Sequence, residues 1–276
     1  MTLFKEKSPY SVTTYTQEWE TPKMMRHPIV LDWLEAPHLL IAGSSGSGKS
    51  VLLNLLIHDI MGEFPGRKQM ILIDPKRVEL VQFKCLPHTM RYASEREEML
   101  SALDGAVWLM EERYKEMQSQ GLRKYQGGDI YVIVDEYADL IVTDKKRVEP
   151  LVLRLAQMGR ASRIHLILCT QRPTRDIITG SIKVNIDHRF ALHVPTAQDS
   201  RNIMGVNGAE SLPMYGQAYY YSPSGIELYE IPMMDEAEMD RLVKHWEAQV
   251  PADKMREKQN GSKKTWFEKL FRQFFK

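Results

Sequence analysis

Residues 43–50 read Gly43-Ser44-Ser45-Gly46-Ser47-Gly48-Lys49-Ser50. Largely apolar runs at 38–42 and 51–57 flank this stretch, which predicts that it joins a buried strand to a helix. A strand, the pattern G-x-x-x-x-G-K-[ST] and a helix, in that order, form a P-loop. Glycines let backbone N–H groups curve around a phosphate, and the positive end of the helix dipole faces the same point. The stretch therefore predicts a phosphate-binding site.

The P-loop side chains have distinct predicted roles in binding ATP and Mg²⁺. Lys49 is expected to reach the β- and γ-phosphates, and the Ser50 hydroxyl to hold Mg²⁺. The alternative, a Gly- and Ser-rich turn without a ligand, is disfavoured by the strand and the helix on either side. The residues predicted to cradle the nucleotide are Gly43, Ser44, Ser45, Gly46, Ser47, Gly48, Lys49, Ser50 and Val51.

The composition is that of an ordinary soluble globular protein, with 276 residues of which 43% are apolar and 26% charged. This length suits one large α/β domain or two small ones. Residues 254–276 carry eight basic side chains and two acidic ones, so a tail of charge +6 leaves −5 for the rest of a chain whose total is +1. Any contact with nucleic acid must therefore come from locally placed side chains.

The sequence carries no signal for export or membrane insertion. Residues 1–7 lack the apolar core of a signal peptide, and no uncharged apolar stretch approaches the length of about 18 residues that a membrane span needs. The two cysteines, Cys85 and Cys169, lie far apart and have no metal-ligand pattern around them. We expect reduced thiols and a cytoplasmic location.

A second motif begins with the apolar run Ile130–Val134, which ends in Asp135 and Glu136. Such a run downstream of a P-loop is typical of a Walker B strand. Asp135 is predicted to bind Mg²⁺ through its water shell, and Glu136 to orient and deprotonate the water that attacks the γ-phosphate. The alternative is a strand end whose two acids are solvated.

Predicted strands and helices alternate along the chain. This alternation predicts an α/β fold with a mostly parallel sheet and helices on both faces, followed by a C-terminal hairpin and helix. Further strands are predicted at 69–73, 164–169 and 187–194, a hairpin at 217–221 and 226–231, and helices at 94–120, 148–158, 197–204 and 235–249.

Ligands of such sheets bind outside the carboxyl ends of the strands, where residues 43–50, Asp135 and Glu136 fall. Gln171 falls there too, directly after the predicted strand at 164–169, and is placed to sense the γ-phosphate. The alternative is that Thr170 and Gln171 are ordinary polar residues at a strand end.

Together these segments resemble the motor domain of the FtsK/SpoIIIE DNA translocases. The likeness runs from about Pro37 to Tyr221 and is most specific at Ile164–Pro173. The stretches that carry it, in the order of the family, are Gly43–Val51, Leu72–Leu80, Val134–Leu140, Leu155–Ala161, Ile164–Pro173, Asp176–Lys183, Asp199–Arg201 and Gly208–Glu210.

The resemblance implies a RecA-like P-loop ATPase that assembles as a ring, usually a hexamer, around double-stranded DNA and drives it through the pore. The nucleotide of such rings lies between subunits, so a neighbour can supply an arginine that stabilises the departing γ-phosphoryl group. Arg160 stands at the matching position and Arg201 is the second choice. The alternative for Arg160 is an ordinary surface arginine at a helix end.

The pore loops of the family follow the strand that corresponds to 164–169. This assigns Arg172, Arg175 and Lys183 to the phosphates of DNA, in contacts that carry no sequence information. The well-known members also have an N-terminal membrane domain, a further domain before the motor and a C-terminal winged-helix module, for which this length leaves no room. We therefore expect a minimal motor of the kind that suits a plasmid, a phage or a conjugative element.

The predicted domains are an N-terminal arm at 1–36, the motor at 37–250, and a linker and basic tail at 251–276. Aromatic and leucine side chains recur at helical spacing in the tail among lysines and arginines. Such a helix can pack on its own motor or a ring neighbour, dock into a partner protein, or lie on an anionic membrane and make the protein membrane-peripheral.

Three other functions stay open at this point. The first is a DNA-packaging or conjugative coupling ATPase, and the second is a motor for protein secretion with the same fold. The third is a non-enzymatic, nucleotide-gated adaptor that recruits a partner through the tail. Intact Lys49, Asp135 and Glu136 argue against the adaptor.

Overall fold

The computed structural model describes residues 12–18, 21–23, 28–29, 31, 33, 35–233 and 236–250. The predicted tail at 251–276 lies outside these residues, and the predicted N-terminal arm is described in part. The chain divides into two compact units. Unit 1 contains residues 1–62 and 171–236, and unit 2 contains residues 63–170 and 237–276.

The described elements alternate as the sequence predicts for an α/β protein. In chain order the strands are β1 (Val12–Glu18), β2 (Thr21–Lys23), β3 (Pro28–Ile29), β4 (His38–Ala42), β5 (Lys68–Ile73), β6 (Thr89–Ala93), β7 (Asp129–Val134), β8 (Ile164–Thr170), β9 (His188–Ala191), β10 (Gln217–Ser222) and β11 (Gly225–Glu230). The helices are α1 (Lys49–Met61), α2 (Arg96–Gln120), α3 (Tyr137–Ser162), α4 (Gly180–Asn185), α5 (Ala197–Met204) and α6 (Glu236–Glu247).

Unit 1 is a mixed sheet in the order β2-β1-β11-β10-β9-β4, with β3 paired to β1. Strands β4 and β9 are parallel and bring Ile41 opposite Phe190. The hairpin of β10 and β11 is antiparallel, as are its pairings with β9 and β1. Strand β4 is buried along its whole length, so the P-loop that follows it starts from a fixed point.

Unit 2 is a fully parallel sheet in the order β6-β5-β7-β8. Strands β7 and β8 are buried at every position. Strands with both faces covered read as continuous apolar runs rather than alternating ones, which explains why Ile130–Val134 is apolar throughout and why Ile164–Cys169 is apolar except at His165. The register places Ile73 opposite Val134 and Val134 opposite Leu168, so these three strands end at a common edge.

Two long helices pack on this sheet. Helix α2 contacts β5, β6 and α3, and helix α3 contacts β8. Helix α3 is interrupted at Asp144, whose backbone is extended, and contains Pro150. At its C-terminus the buried Arg113 side chain donates to the carbonyls of Ser162 and Arg163 at 2.7 and 3.1 Å. Burial lowers the pKa of Arg113 to about 10, which leaves the guanidinium charged at neutral pH and able to complement the negative end of the helix.

Most predicted elements are observed within two residues of their expected ends, and three differences stand out. The strand β6 was not predicted, because Thr89–Ala93 lacks a clear apolar pattern. No helix was predicted between the strands at 164–169 and 187–194, but this stretch contains helix α4, which the Thr179 side chain caps. Helix α3 extends well beyond the predicted 148–158 in both directions.

Within the described residues, no helix combines the length and the apolar character that crossing a membrane requires. Cys85 is half-buried and Cys169 is buried, and neither forms a disulfide within the described residues.

A buried charge cluster joins the start of β7 to the start of β8. The Asp129 carboxylate accepts two hydrogen bonds from the Arg163 guanidinium, at 2.7 and 2.6 Å, and lies 2.9 Å from His165 Nε2. Burial alone would raise the pKa of Asp129, but the hydrogen bonds from His165 and Arg163 outweigh it and hold the pKa well below its ordinary value. The folded state therefore favours the charged carboxylate.

We predict that Asp129→Asn lowers the free energy of unfolding by about 2 kcal/mol at pH 7, the scale of hydrogen bonds to a charged group. Because the folded pKa is depressed, this stabilisation is present above the unfolded pKa of about 3.9 and is lost as the pH falls through the folded value. Urea unfolding at pH 7 and pH 3 should show the difference from wild type shrink at the lower pH. Asp104→Asn, on the exposed face of α2, is the control. An equal loss for both variants would contradict this account.

Candidate active site

The P-loop of unit 1 connects β4 to α1 in a conformation that leaves its donors available to a ligand. Gly46 and Gly48 have φ values of +79° and +92°, a region that residues with a side chain rarely adopt. Gly48 is the N-cap of α1, no side chain caps the helix, and its first turn contains no acidic residue. The first N–H groups of this 13-residue helix therefore have no partner within the helix. No acidic side chain in the first turn of α1 competes with an anionic ligand for them.

The start of the P-loop is tied to the chain that follows β9. The backbone N–H and the hydroxyl of Ser44 both donate to the carbonyl of His193, at 2.9 and 3.1 Å. The backbone N–H of Ser47 donates to the Ser44 carbonyl at 3.1 Å and closes the turn. A Cβ on Gly43 would lie 2.7 Å from Leu192 Cβ, so the loop passes this point only as glycine.

The side chains predicted to contact phosphate and metal lie at the start of α1. Lys49 is only 5% exposed, and Ser50, the next residue, is half-buried. The Ser47 hydroxyl is buried and has no hydrogen-bond partner among the described residues. A buried hydroxyl without a partner is costly unless a bound group satisfies it.

In unit 2, Asp135 and Glu136 follow β7 directly, as predicted. They are 2% and 1% exposed, which excludes the alternative of solvated acids at a strand end. The backbone N–H of Asp135 donates to the Ile73 carbonyl at 3.1 Å and continues the ladder one step past the strand. Glu136 is the N-cap residue of α3.

Both oxygens of the Glu136 carboxylate accept hydrogen bonds from side chains of unit 2. Lys76 Nζ lies 3.0 Å from Oε2, and Thr170 Oγ1 donates to Oε1 at 2.8 Å. Thr170 is the last residue of β8 and fully buried. Sequence reasoning weighed Thr170 only as a strand-end residue and assigned no role to Lys76. The signal that could have found Lys76 is its place in the stretch Leu72–Leu80, which matched the family.

Arg160 lies in the last turn of α3, on a segment with several ties to the rest of unit 2. Its side chain is exposed and forms no ion pair within the described residues. The turn around it is held by Arg113, by a hydrogen bond from the Tyr114 hydroxyl to the Met158 carbonyl at 2.9 Å, and by one from Tyr125 N to the Ala161 carbonyl at 2.9 Å. Such a cation is presented on a rigid support. The same position also suits the negative end of the helix dipole.

The other predicted residues lie in unit 1. Gln171 follows β8 and is half-buried, and Arg172 and Arg175 are exposed in the segment before α4. Arg201, in α5, donates to the side-chain oxygens of Asn207 and Gln198 at 2.6 and 3.2 Å, so its guanidinium is engaged within its own chain.

Lys183 lies in α4 close to two other cations. Burial, followed by the charges of Arg189 and Arg175, lowers the pKa of Lys183. Arg189 is buried and donates to the backbone carbonyls of Lys183, Ile186 and Ile203. Within unit 1 the positive charges of Arg189 and Arg175 thus both disfavour the charged form of Lys183.

The match to a family model decides the family. The sequence profile of the FtsK/SpoIIIE family matches residues 20–130 and 128–175. The chain belongs to the FtsK/SpoIIIE family. Its relatives include the DNA translocase FtsK of Bradyrhizobium diazoefficiens, 34% identical across 80% of this chain and 32% of that protein. The FtsK of Lactiplantibacillus plantarum is 37% identical across 82% of this chain and 31% of that protein. The chain thus spans about a third of the length of the curated relatives it matches.

Solved structures show the same fold at lower identity. The conjugation coupling protein TcpA of pCW3, in its monomer form with ATPγS, superposes with a TM-score of 0.70 at 21% identity, across 87% of this chain and 71% of that one. The cytoplasmic domain of the type VII secretion ATPase EccC of Thermomonospora curvata gives 0.70 at 22%, across 82% and 30%. The predicted RecA-like α/β fold of this FtsK/SpoIIIE chain is confirmed.

We predict that Gly43→Ala weakens ATP binding at least tenfold, because the added Cβ collides with Leu192 Cβ and displaces the loop. Titration with a fluorescent ATP analogue measures the dissociation constant. Gly66→Ala is the control, since a Cβ at Gly66 meets nothing within 4 Å. Unchanged affinity in Gly43→Ala would show that the P-loop tolerates this collision and would contradict the described cradle.

Proposed function

We propose that this chain is an ATP-hydrolysing motor that moves double-stranded DNA, without sequence specificity, as a homo-oligomeric ring. The observation that carries the proposal is the family profile, whose match at residues 20–175 includes the P-loop, the β7 carboxylates and the end of β8. The proposed ring is a hexamer, in keeping with the resemblance.

The phosphates of ATP would be held by the backbone of residues 43–51 and by Lys49. The hydroxyl of Ser50 and the carboxylate of Asp135 are hard oxygen donors, the ligand type that Mg²⁺ prefers, and the buried position of Asp135 suits a metal partner. When bound, Mg²⁺ supplies positive charge that stabilises the phosphate oxygens during transfer. The residues present therefore fit the predicted nucleotide and metal.

Hydrolysis needs a base that orients water, and Glu136 is proposed for that role. Its carboxylate would take a proton from the water as the water oxygen bonds to the γ-phosphorus. The bond from the γ-phosphorus to the bridging oxygen breaks, and the electron pair leaves with ADP. Gln171 is proposed to contact the γ-phosphate. Arg160 of a neighbouring subunit would stabilise the transition-state charge, with Arg201 as the second candidate.

Arg172, Arg175 and Lys183 are proposed to contact DNA phosphates. The support for this is their position in the segment after β8, where the family resemblance places the pore loops, together with the charges of Arg189 and Arg175, which add to burial in lowering the pKa of Lys183. Contacts of this kind suit a motor that must step along any sequence.

A protein-secretion motor is the second candidate, favoured by the equal TM-scores of TcpA and EccC. Fold similarity alone does not separate the two. Sequence identity does favour DNA, because it reaches 34–37% with proteins named DNA translocase FtsK and 22% with the secretion ATPase. A cytoplasmic location and docking through residues 251–276 stay predictions.

The test of the proposed function is ATP hydrolysis with and without duplex DNA. We predict that DNA stimulates hydrolysis severalfold, and that Lys49→Ala lowers the rate by roughly two to three orders of magnitude, the scale for losing a group that stabilises developing charge. A phosphate-release assay at saturating ATP measures both. A DNA-independent rate in the assembled protein would refute the DNA motor, and retained turnover in Lys49→Ala would refute the P-loop assignment.

Mixing variants tests whether Arg160 acts between subunits. We predict that Arg160→Ala and Lys49→Ala are each inactive alone, and that a mixture recovers part of the DNA-stimulated rate. Recovery is expected where an intact P-loop of one subunit meets an intact Arg160 of the next. The control mixture contains Lys146→Ala in place of Arg160→Ala. Lys146 is an exposed lysine without a partner among the described residues. No recovery in the mixture would contradict an arginine supplied by the neighbour.

The salt dependence of DNA binding tests the cationic cluster. We predict that Arg175→Ala with Lys183→Ala weakens binding for all sequences and lowers the slope of log Kobs against log[salt] by about 1 to 2, since each phosphate contact contributes about 0.9. The matched control is Arg123→Ala with Lys146→Ala, two exposed cations of unit 2. If both pairs of substitutions changed the slope equally, Arg175 and Lys183 would have no specific role in contacting DNA phosphates.

A further inference from the structure

The stretch Leu72–Leu80 is one of those that carry the family resemblance, but no function has been assigned to its residues so far. After the end of β5 it forms a tight turn. The Asp74 carboxylate is fully buried and folds back onto this turn. Its Oδ1 accepts from the backbone N–H of Arg77 at 2.7 Å, and its Oδ2 from that of Leu80 at 3.0 Å. Such a carboxylate fixes the path of its own following loop.

The backbone of the turn follows a path that few sequences adopt. Pro75 cannot continue the ladder of β5, and Arg77 has a φ of +59°, in the left-handed region. The Tyr92 hydroxyl of β6 adds a contact of 3.5 Å to Asp74 Oδ2. Burial, together with the Asp74 charge, raises the pKa of Tyr92 to about 12, so the phenol stays protonated and can donate.

The turn places Lys76 beside Glu136. Lys76 Nζ lies 3.0 Å from Oε2 of Glu136, whose other oxygen accepts from Thr170. The Lys76 side chain is 38% exposed, whereas the Glu136 side chain is 2% exposed. The lysine therefore stands between a buried carboxylate and solvent, at a contact that joins residues 60 positions apart in the chain.

We infer that Lys76 is a positioning residue for hydrolysis: with Thr170, it holds the Glu136 carboxylate in the orientation that activates water. The inference rests on the proposed function, in which Glu136 is the base. Two donors, one on each oxygen, fix the plane of the carboxylate. A carboxylate oxygen has two lone pairs and can accept more than one hydrogen bond. A base that is already held in its reactive orientation avoids the entropic cost of adopting that orientation during the reaction.

The competing explanation is a purely structural ion pair. Removing one partner of a buried pair destabilises a protein because a buried charge loses its partner. A structural role predicts a loss of stability and of ATP affinity together. A positioning role predicts a loss in kcat that depends on the presence of the Glu136 carboxylate, and a double-mutant cycle separates the two.

The experiment measures ATP affinity and DNA-stimulated kcat for Lys76→Met, Glu136→Gln and the double variant. We expect Lys76→Met to bind ATP within twofold of wild type and to lose roughly 10- to 100-fold in kcat, a part of the about 10²- to 10⁴-fold that general base catalysis supplies. In the Glu136→Gln background, the same change should cost less than about twofold. Lys76→Arg should keep more activity than Lys76→Met. Lys146→Met should equal wild type, because Lys146 is exposed and forms no ion pair in the part of the chain that the structure describes.

Other outcomes overturn the inference. A multiplicative loss in the double variant, normal kcat in Lys76→Met, or faster hydrolysis without Lys76 would each contradict it. Should Lys76→Met fail to fold, Thr170→Val against Thr170→Ser examines the other donor, and equal kcat for these two would equally overturn it. Full activity of Glu136→Gln would instead refute the role of Glu136 as the general base. That result would contradict the proposed function itself and can be told apart from a failure of the Lys76 inference.

Discussion

A buried carboxylate is stable only where hydrogen-bond donors surround it. The buried Glu136 carboxylate therefore requires unit 2 to place donor side chains around it. Its side chain is almost inaccessible, and a charge in that position would be prohibitive without partners. Thr170 comes from the end of β8, and Lys76 comes from the turn that Asp74 shapes after β5. Three parallel strands must therefore end together for one glutamate to be held.

The register of the parallel strands supplies that condition. Residues Ile73, Val134 and Leu168 are aligned across β5, β7 and β8, so the polar residues that follow each strand meet at one edge. At the opposite ends of these strands, the ion pair of Asp129 with Arg163 links the start of β7 to the start of β8. In unit 1 the P-loop depends on a different constraint, the close passage of Gly43 past Leu192. Each unit thus fixes its part of the chemistry by local packing.

Local patterns in the sequence predict most of the strands and the P-loop. Short apolar runs beside glycines or acids identified β4, β7 and β8, and the glycine spacing identified the P-loop, because all these signals lie within ten residues. The partners of Glu136 could not be predicted in that way. Thr170 and Lys76 are 34 and 60 residues from it, and only the strand order brings them close. Strand β6 was missed because three of its five side chains, Met90, Arg91 and Tyr92, are only half-buried and follow no simple pattern.

We propose that the chain works as a ring in which one subunit completes the site of the next. Electron microscopy of the full chain with a non-hydrolysable ATP analogue and duplex DNA tests this most directly. The account predicts a closed ring, six subunits by the family resemblance, with DNA in the pore and Arg160 of each subunit beside the nucleotide of its neighbour. Nucleotide-bound monomers that leave the DNA free, or a ring whose Arg160 side chains face away from the nucleotide, would contradict it.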